Sequence, residues 1–437
     1  MKRIVFALMT VVVVFAAVQL GCMDRQPAPV CPVPTELKQD EMQAGGFDGV
    51  DLLVVIDDSS SMMQEQAILA TSFFPLVNSL AYPIHTDFQE TNWPYQAAEE
   101  LRLAVVTSNM GFSSSGDDND DEWPGTMVDS CSGLGDNGEF QTSVPASVAI
   151  TNNLIPCDET SAQCPAGWTC QGMEDDDSTP GQGVCNDGTA NPSGDVNCPD
   201  LGASWAETTD ELVDPEFTIK AACLAKQGTA GCGFEQQLQS AATSLVVGDQ
   251  PEFIHESHLL AILVVSDEED CSMQDGPGLF SEDEVSNQSA KKVNLACGNH
   301  PQYLYAPSDF YDAFVDAKYP GGVVFAALVG VPYGDQPGAS ECQGRGDQLG
   351  DCLEQEEMML EEEQPGAPED LTWFFRPACE RYVDGDSDPV TKAYPGRRYV
   401  ELAHDSFGED SFIYSICNED WSPAIAMINE MIISRLP

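Results

Sequence analysis

The sequence predicts an α/β protein with a doubly wound, mostly parallel sheet, and two observations lead to this class. Four short runs are rich in Val, Ile, Leu or Ala and do not alternate with polar residues, as is typical of strands buried on both faces. They cover residues 50–56, 103–106, 259–265 and 323–331. Helical patterns lie between these runs, and such alternation favours a parallel sheet with helices on both faces.

The helical patterns have apolar residues at the three- and four-residue spacing of one helix face. They cover residues 62–80, 234–245, 309–318 and 423–436. In the last of these, Ile425 and Ile428 belong to the predicted buried face. Ser308 is placed to cap the third helix. Ser281 and Glu284 have the spacing of a capping box, which predicts one more helix from Ser281 to about residue 295.

Two insertions interrupt the domain predicted for residues 48–437. Residues 111–228 are rich in Asp, Gly, Ser, Pro and Cys but have few aliphatic runs, so we expect a module stapled by disulfides. Its seven cysteines are Cys131, Cys157, Cys164, Cys170, Cys185, Cys198 and Cys223. Because seven is odd, at least one pairs outside the module or stays free, and Cys223 and Cys232 are candidates for tying its end to the next helix. The second insertion, 341–395, is acidic and also contains cysteines.

The first residues predict export. Residues 1–22 combine a basic start with an apolar run that is too short for a comfortable membrane span, which is typical of a secretory signal. The run ends in Gly21-Cys22 and resembles a bacterial lipobox, although Gln19 stands where an aliphatic residue is usual. We expect lipidation of Cys22 and a proline-containing tether over 23–47, with plain secretion as the alternative.

The cysteine content agrees with export, because 16 cysteines are far more than a cytosolic protein would expose safely. No CxxC pair occurs, which argues against a structural zinc site formed by these cysteines.

The charge balance excludes one large class of partner. The chain has 73 Asp plus Glu against 17 Lys plus Arg, a formal net charge of −56. Nucleic acids and anionic membrane surfaces are bound by clustered cations, so neither is expected as a partner. The charge is compatible with solubility in an ion-rich medium or with binding of divalent cations.

One motif offers ligands for a metal. Asp57-x-Ser59-x-Ser61 directly follows the first predicted strand, and open α/β sheets bind ligands at the carboxyl ends of their strands. Two hydroxyl groups can coordinate a hard cation directly while the aspartate holds a coordinated water. Magnesium favours this mixture, because it keeps several waters and requires octahedral oxygen ligands.

The order of these features resembles the von Willebrand factor A domain with its metal-ion-dependent adhesion site. In that family a later strand ends in an aspartate, which Asp267 matches, and a loop before a helix supplies a threonine, which Thr229 matches less closely. The resemblance implies that Ser59 and Ser61 bind Mg²⁺ directly, with Mn²⁺ or Ca²⁺ as alternative ions. It also implies that Thr229 binds directly or through a water, and that Asp57 and Asp267 accept hydrogen bonds from coordinated waters.

The resemblance also implies a function. The cysteine-containing segments 231–236 and 267–271 are similar to segments of cysteine-rich A-domain lipoproteins from predatory or social soil and marine bacteria. We therefore expect an adhesion or binding protein of the cell envelope, held at the membrane through its lipid anchor. The open metal position would accept a carboxylate of a protein or other surface ligand. The alternative is a structural envelope protein, braced by disulfides, whose metal only stabilises the loop.

Enzymatic activity is not expected. Phosphatases of the haloacid dehalogenase type need a second acid two residues after the strand-end aspartate, and Ser59 stands there. No Gly-x-Ser-x-Gly elbow occurs, and the five histidines show no HExxH spacing. His255 and His258 would share a face only on a helical turn, and on a strand they would point to opposite faces, so we expect ordinary surface or core positions for both.

Overall fold

Seven strands form the central sheet of the protein, which is described by a computed structural model. The strands are β1 (Gly49–Ile56), β2 (Glu100–Thr107), β3 (Ala206–Glu207), β4 (His258–Val265), β5 (Val323–Val329), β6 (Gly344–Arg345) and β7 (Ser411–Ser415). Their spatial order is β6-β7-β5-β4-β1-β2-β3. The five central strands are parallel, and the edge strands β3 and β6 are antiparallel to their neighbours. The predicted α/β class with a mostly parallel sheet is confirmed.

The structure describes most of the chain beyond residue 45. The described residues are 46–81, 98–111, 131, 133, 135–143, 150–151, 156–157, 169–172, 183–186, 195–196, 205–208, 215–247, 250–274, 276–281, 295–363, 374–383 and 389–436. The predicted signal at 1–22, the lipidation site Cys22 and all but the end of the tether at 23–47 lie outside them. The same is true of most of the helix predicted from Ser281. None of the helices in the described ranges is long and apolar enough to cross a bilayer.

The strand order creates a switch point between β1 and β4. Strand β2 lies on one side of β1, whereas β4, β5 and β7, which come later in the chain, lie on its other side. The direction in which strands are added to the sheet therefore reverses between β1 and β4. Ile56 at the end of β1 is level with Thr107 of β2 and with Val265 of β4. The residues that follow these three strands therefore meet at one edge of the sheet. Doubly wound sheets bind ligands at such a point.

Helices cover both faces of the sheet. The five longest are α1 (Met63–Ala81), α2 (Pro215–Leu224), α3 (Gln237–Ser244), α4 (Pro307–Ala317) and α5 (Ser422–Ile433). Shorter helical segments are Gly276–Ser281, Ala296–Asn299, Ala339–Cys342 and Arg397–Glu401, the last continuing as a π-helix over Leu402–Phe407. Short 3₁₀ segments are Gln250–Phe253, Pro301–Tyr303, Gly346–Gln348, Cys352–Glu354, Glu356–Met358 and Gly408–Asp410.

The alternating side chains of β1 supply both layers of the core. Leu52 points into the layer formed with α1, α2 and α5, whereas Leu53 points into the layer formed with α3 and α4. Both leucines are fully buried, and burial of each contributes about 1.5–3 kcal/mol. The continuous apolar character of the predicted strands follows from this burial on both faces.

The helix boundaries differ from prediction by up to three residues, and α5 ends at Ile433 rather than at residue 436. Helix α3 begins at Gln237 rather than 234. Helix α4 begins at Pro307, and its first turn is closed by Asp309, whose Oδ2 accepts the backbone N–H of Ala306 at 2.9 Å. Ser308 is therefore not the N-cap. A proline fits the first helical position, because its missing N–H has no partner there.

Both predicted insertions contribute to the central sheet. Strand β3 comes from the cysteine-rich segment and β6 from the acidic one. Small separate sheets pair Ile150–Thr151 with Asp195–Val196, Pro156–Cys157 and Thr169–Gly172 with Gly183–Asn186, Glu362–Glu363 with Phe374–Phe375, and Cys379–Arg381 with Thr391–Ala393. The two edge strands have only two residues each, too few to show a pattern in the sequence.

Disulfides join distant parts of the described chain. The pairs are Cys131–Cys232, Cys271–Cys297, Cys342–Cys352 and Cys379–Cys417. Cys131 of the cysteine-rich segment pairs with Cys232 outside it, which agrees with the odd number of cysteines. The candidate pairing of Cys223 with Cys232 was therefore wrong. Cys223 is also disulfide-bonded. The Cys131–Cys232 bond fixes the loop that follows Thr229, which adjoins the switch point.

Candidate metal centre

The switch point brings together four of the five predicted metal ligands. After β1 the chain turns sharply, and the Asp57 carboxylate accepts the backbone N–H of Ser59 at 2.8 Å. This turn presents the Ser59 and Ser61 hydroxyl groups to the end of β4, where Asp267 lies. The Ser61 hydroxyl donates to Asp267 Oδ1 at 3.1 Å, and the Ser59 and Ser61 hydroxyl oxygens are also 3.1 Å apart.

The spacing of the Ser59 and Ser61 hydroxyl oxygens fits a small cation. Ligands at about 2.1 Å in an octahedron are separated by about 3.0 Å along each edge. The Ser59 and Ser61 hydroxyl oxygens are 3.1 Å apart, close to one such edge. Asp267 lies one hydrogen bond beyond Ser61, also at 3.1 Å, within reach of a water on a cation bound there. Calcium has longer bonds, about 2.4 Å, and more ligands, so it fits this compact group less well.

Asp57 is held in place by protein donors. Its Oδ2 accepts the Ser266 hydroxyl at 2.6 Å and the Gln237 side-chain amide at 3.4 Å. The same amide donates to the Ser266 hydroxyl at 2.8 Å. The Asp57 carboxylate is fully buried, and this burial raises its pKa despite the donors. Such fixed carboxylates orient the waters and ligands of a metal.

Thr229 lies in a loop beside this turn. Gln66 clamps the loop: its amide donates to the carbonyl of Gly228 at 2.7 Å and to the carbonyl of Asp57 at 2.9 Å. Gly231 donates its N–H to the carbonyl of Asp58 at 2.8 Å, and a Cβ at this glycine would collide with the Asp58 carboxylate. The structure thus brings the Thr229 loop to the candidate centre, but no hydrogen bond between the described residues joins the Thr229 hydroxyl to the other candidate ligands.

We expect the Thr229→Val substitution to lower Mg²⁺ affinity about tenfold, because it removes a candidate ligand oxygen without changing the side-chain shape. The Thr229→Ser variant retains the hydroxyl and should bind within about twofold of wild type. Calorimetric titration of the metal-free protein measures both. Equal affinities for Val, Ser and wild type would show that Thr229 is not a ligand.

Four carboxyl groups crowd the centre. Asp57, Asp267, Glu235 and Glu268 interact electrostatically, and burial raises the pKa of each, that of Glu268 to about 7. Glu235 is 3% exposed, and its Oε1 has no hydrogen-bond partner in the described part of the chain. Buried carboxylates are costly unless a cation or hydrogen bonds compensate them. The group is therefore suited to a bound cation.

Asp58 points away from this group. Its carboxylate accepts the Ser108 hydroxyl at 3.2 Å. Burial raises its pKa to about 7, with further contributions from the negative charges of Asp57 and Asp136. Asp58 is therefore a buried acid of the same turn that makes no hydrogen bond to the candidate ligands.

The candidate centre opens to solvent on the side of the turn. Ser61 is exposed, whereas Ser59 is buried. Met63, at the start of α1, is 68% exposed. The acidic insertion contacts the centre next to Asp267, because Tyr394 donates its N–H to the carbonyl of Asp267 at 2.8 Å. A ligand group from outside can therefore approach Ser61.

Sequence reasoning missed the residues that surround the motif. Glu235 and Glu268 add negative charge, and Gln237 and Ser266 hold Asp57. Ser266 and Glu268 flank Asp267, so their place at a strand end was a usable signal. Glu235 lies just before α3 and Gln237 is its first residue, and there the sequence shows only a helical pattern.

Fold and site together define an α/β protein with a candidate divalent-cation centre at the switch point of its sheet. Comparisons with protein-family models, with curated proteins and with solved structures found no match.

A second group of possible metal ligands lies at the opposite end of the sheet. Ligand atoms of Asp48, His255 and His258 lie within 4.8 Å of one another. The expectation that the two histidines point to opposite faces was wrong. A turn in which the N–H of His258 donates to the carbonyl of His255 at 3.2 Å brings the two rings to a centroid distance of 4.4 Å.

Proposed function

We propose that the protein is a von Willebrand factor A-type binding protein with a functional metal-ion-dependent adhesion site. Asp57, Ser59, Ser61, Thr229 and Asp267 would hold Mg²⁺, and a carboxylate of the partner would complete its ligands. The observation that carries the proposal is the 3.1 Å spacing of the Ser59 and Ser61 hydroxyl oxygens at the switch point, with the Asp267 carboxylate one hydrogen bond away from Ser61. Bound Mg²⁺ would supply the positive charge that attracts the partner's acid.

The charges of the centre support binding of an acidic partner. Burial and neighbouring negative charges raise the pKa of both Glu235 and Glu268, which favours their neutral forms. Of the proposed ligands, only Asp57 and Asp267 have carboxylates, and the two serines are neutral. A divalent cation held mainly by neutral oxygens keeps enough positive charge to bind a further carboxylate.

Solvent access favours partner binding over the alternative, in which the metal only stabilises the loop. Ser61 is exposed, so a partner's carboxylate could reach a metal bound at Ser61 without any rearrangement of the surrounding protein. Met63 offers an apolar contact next to it, being 68% exposed. We propose binding rather than catalysis, in a protein exported to the cell envelope and anchored through a lipid on Cys22.

Acidic peptides test this proposal directly. Mg²⁺ is titrated calorimetrically into the metal-free full-length protein, and the loaded protein is then probed with a panel of peptides that contain Asp or Glu. We expect some peptides to bind only when Mg²⁺ is present, and the same peptides with Asn or Gln not to bind.

The alternative gives a different result. If the metal is only structural, Mg²⁺ binds and raises the melting temperature, but the panel of peptides shows no binding that depends on Mg²⁺. If Mg²⁺ does not bind at all, the metal centre itself is refuted. Omission of Mg²⁺ is a better control than a chelator, because a chelator would also remove metal from any other site.

A further inference from the structure

Asp48, His255 and His258 form a compact group at the amino ends of β1 and β4. Asp48 precedes β1, His258 is the first residue of β4, and the turn from His255 brings the second imidazole beside the first. Strand β1 has 8 residues. At about 3.3 Å per residue, its two ends are roughly 23 Å apart. This group is therefore separate from the centre at Asp57.

A buried carboxylate orients His258. Asp51 is 0% exposed, and its Oδ1 accepts the Nδ1–H of His258 at 2.7 Å. The other oxygen of Asp51 accepts the backbone N–H of His255 at 2.7 Å, so one carboxylate fixes both the ring and the turn. The His258 side chain is itself 2% exposed. Metal-binding histidines commonly have this arrangement, in which a carboxylate accepts from the nitrogen that does not bind the metal.

The Nε2 of His258 faces further acidic groups. It lies 4.0 Å from Asp48 Oδ1 and 3.8 Å from Glu100 Oε2. Gly49 leaves the room for this ring, because a Cβ there would collide with Nε2. Beta strand pairing places Gly49 level with both Glu100 and His258, so three neighbouring strand ends contribute to the group.

The second imidazole is held by the same turn. Ser257 donates its hydroxyl to Asp48 Oδ1 at 2.5 Å and lies 3.0 Å from His255 Nδ1. Lys318 binds the carbonyl of Glu256 at 3.1 Å, which fixes the turn from the side of α4. Both rings and the carboxylate are thus positioned by hydrogen bonds before any metal arrives.

We infer that Asp48, His255 and His258 bind a transition-metal ion of the Zn²⁺ type, with Glu100 close enough to serve as a fourth ligand. Two imidazole nitrogens and carboxylate oxygens are ligands for Zn²⁺, whereas Mg²⁺ takes oxygen ligands. The site uses no cysteine. It would join the starts of β1, β2 and β4, independently of the metal that the centre at Asp57 is proposed to bind.

Zinc titration of the full-length protein tests this site. Free thiols are first alkylated, so that unpaired cysteines cannot bind the metal. We expect one high-affinity Zn²⁺ site, and Co²⁺ bound there should show the visible absorption of a four-coordinate ion. The His258→Gln variant retains a donor for Asp51 but loses the ligand nitrogen, and its Zn²⁺ affinity should fall at least a hundredfold.

Two further variants keep the test decisive if His258→Gln does not fold. Asp48→Asn changes an exposed side chain and His255→Gln removes the second imidazole, and each should lower Zn²⁺ affinity at least about tenfold. His404 does not belong to the proposed zinc site, so His404→Gln is the control and should bind Zn²⁺ like wild type. Unchanged Zn²⁺ affinity in folded Asp48→Asn and His255→Gln, or no zinc binding in wild type, would overturn the inference. Mg²⁺ affinity is measured in the same variants and should not change, which separates this site from the proposed adhesion site.

Discussion

In the Asp57→Asn variant we expect Mg²⁺ affinity to fall about a hundredfold while the metal-free protein becomes more stable at pH 8. Asparagine keeps the size of the side chain and an oxygen that can accept the N–H of Ser59. It removes one negative charge from a buried group in which Asp267 and Glu235 are also acidic. Burial raises the pKa of Asp57 despite its hydrogen bonds, so its ionised form costs stability in the metal-free protein, whereas the same charge helps to hold a cation.

Asp58→Asn is the matched control for this prediction. Asp58 is the next residue in the same turn, and burial raises its pKa as well, to about 7. Its carboxylate faces Ser108 rather than the candidate ligands. We expect Asp58→Asn to stabilise the metal-free protein but to leave Mg²⁺ affinity within about threefold of wild type. Calorimetric titration and thermal unfolding measure the two quantities, and an equal loss of Mg²⁺ affinity in both variants would contradict the assignment of Asp57.

The sheet and the Asp57-x-Ser59-x-Ser61 turn could be predicted because each strand, and the turn, has a pattern that is visible within a few consecutive residues. Strands buried on both faces are continuous apolar runs, and the residues that end them must meet at one edge of a parallel sheet. Asp57 and Asp267 are 210 residues apart in sequence (267 − 57), yet they follow strands that pair in register from Gly49 to Ile56. The strand ends place these two aspartates at one edge of the sheet, whereas their role at a metal site was implied by the resemblance to the A domain.

The Thr229 loop and the second metal group depend on contacts that the sequence does not display. The position of Thr229 is set by Gln66 and by the close approach of Gly231 to Asp58. His255 and His258 come together because a turn precedes β4, whereas the apolar run that follows suggested that the strand begins earlier. Asp51 lies inside an apolar strand, and only the folded register shows that its carboxylate meets His258.

The stability of the metal-free protein should fall as the pH rises from about 4 to about 7. Asp58 and Glu268 have their pKa raised to about 7, and burial also raises the pKa of Glu235 and Asp267. In this range the unfolded chain, whose acids titrate near pH 4, has released protons that the folded protein still holds. Because the folded state binds more protons, its free energy of unfolding decreases with rising pH. Each unit by which the folded-state pKa is raised corresponds to about 1.36 kcal/mol of stability lost across this pH range.

Saturating Mg²⁺ should reverse much of this loss at pH 8, since the cation binds the ionised carboxylates that burial disfavours. A concentration of one hundred times the dissociation constant stabilises the folded state by about 2.7 kcal/mol. Urea unfolding at pH 4, 6 and 8, in high salt to screen the surface charges, measures the trend with and without Mg²⁺. Asp57→Asn should show a smaller pH dependence and, at the same Mg²⁺ concentration, a stabilisation of only about 0.4 kcal/mol. If stability in high salt instead rises with pH, or if Mg²⁺ stabilises wild type and Asp57→Asn equally, the buried carboxylates at the switch point are not the cation site.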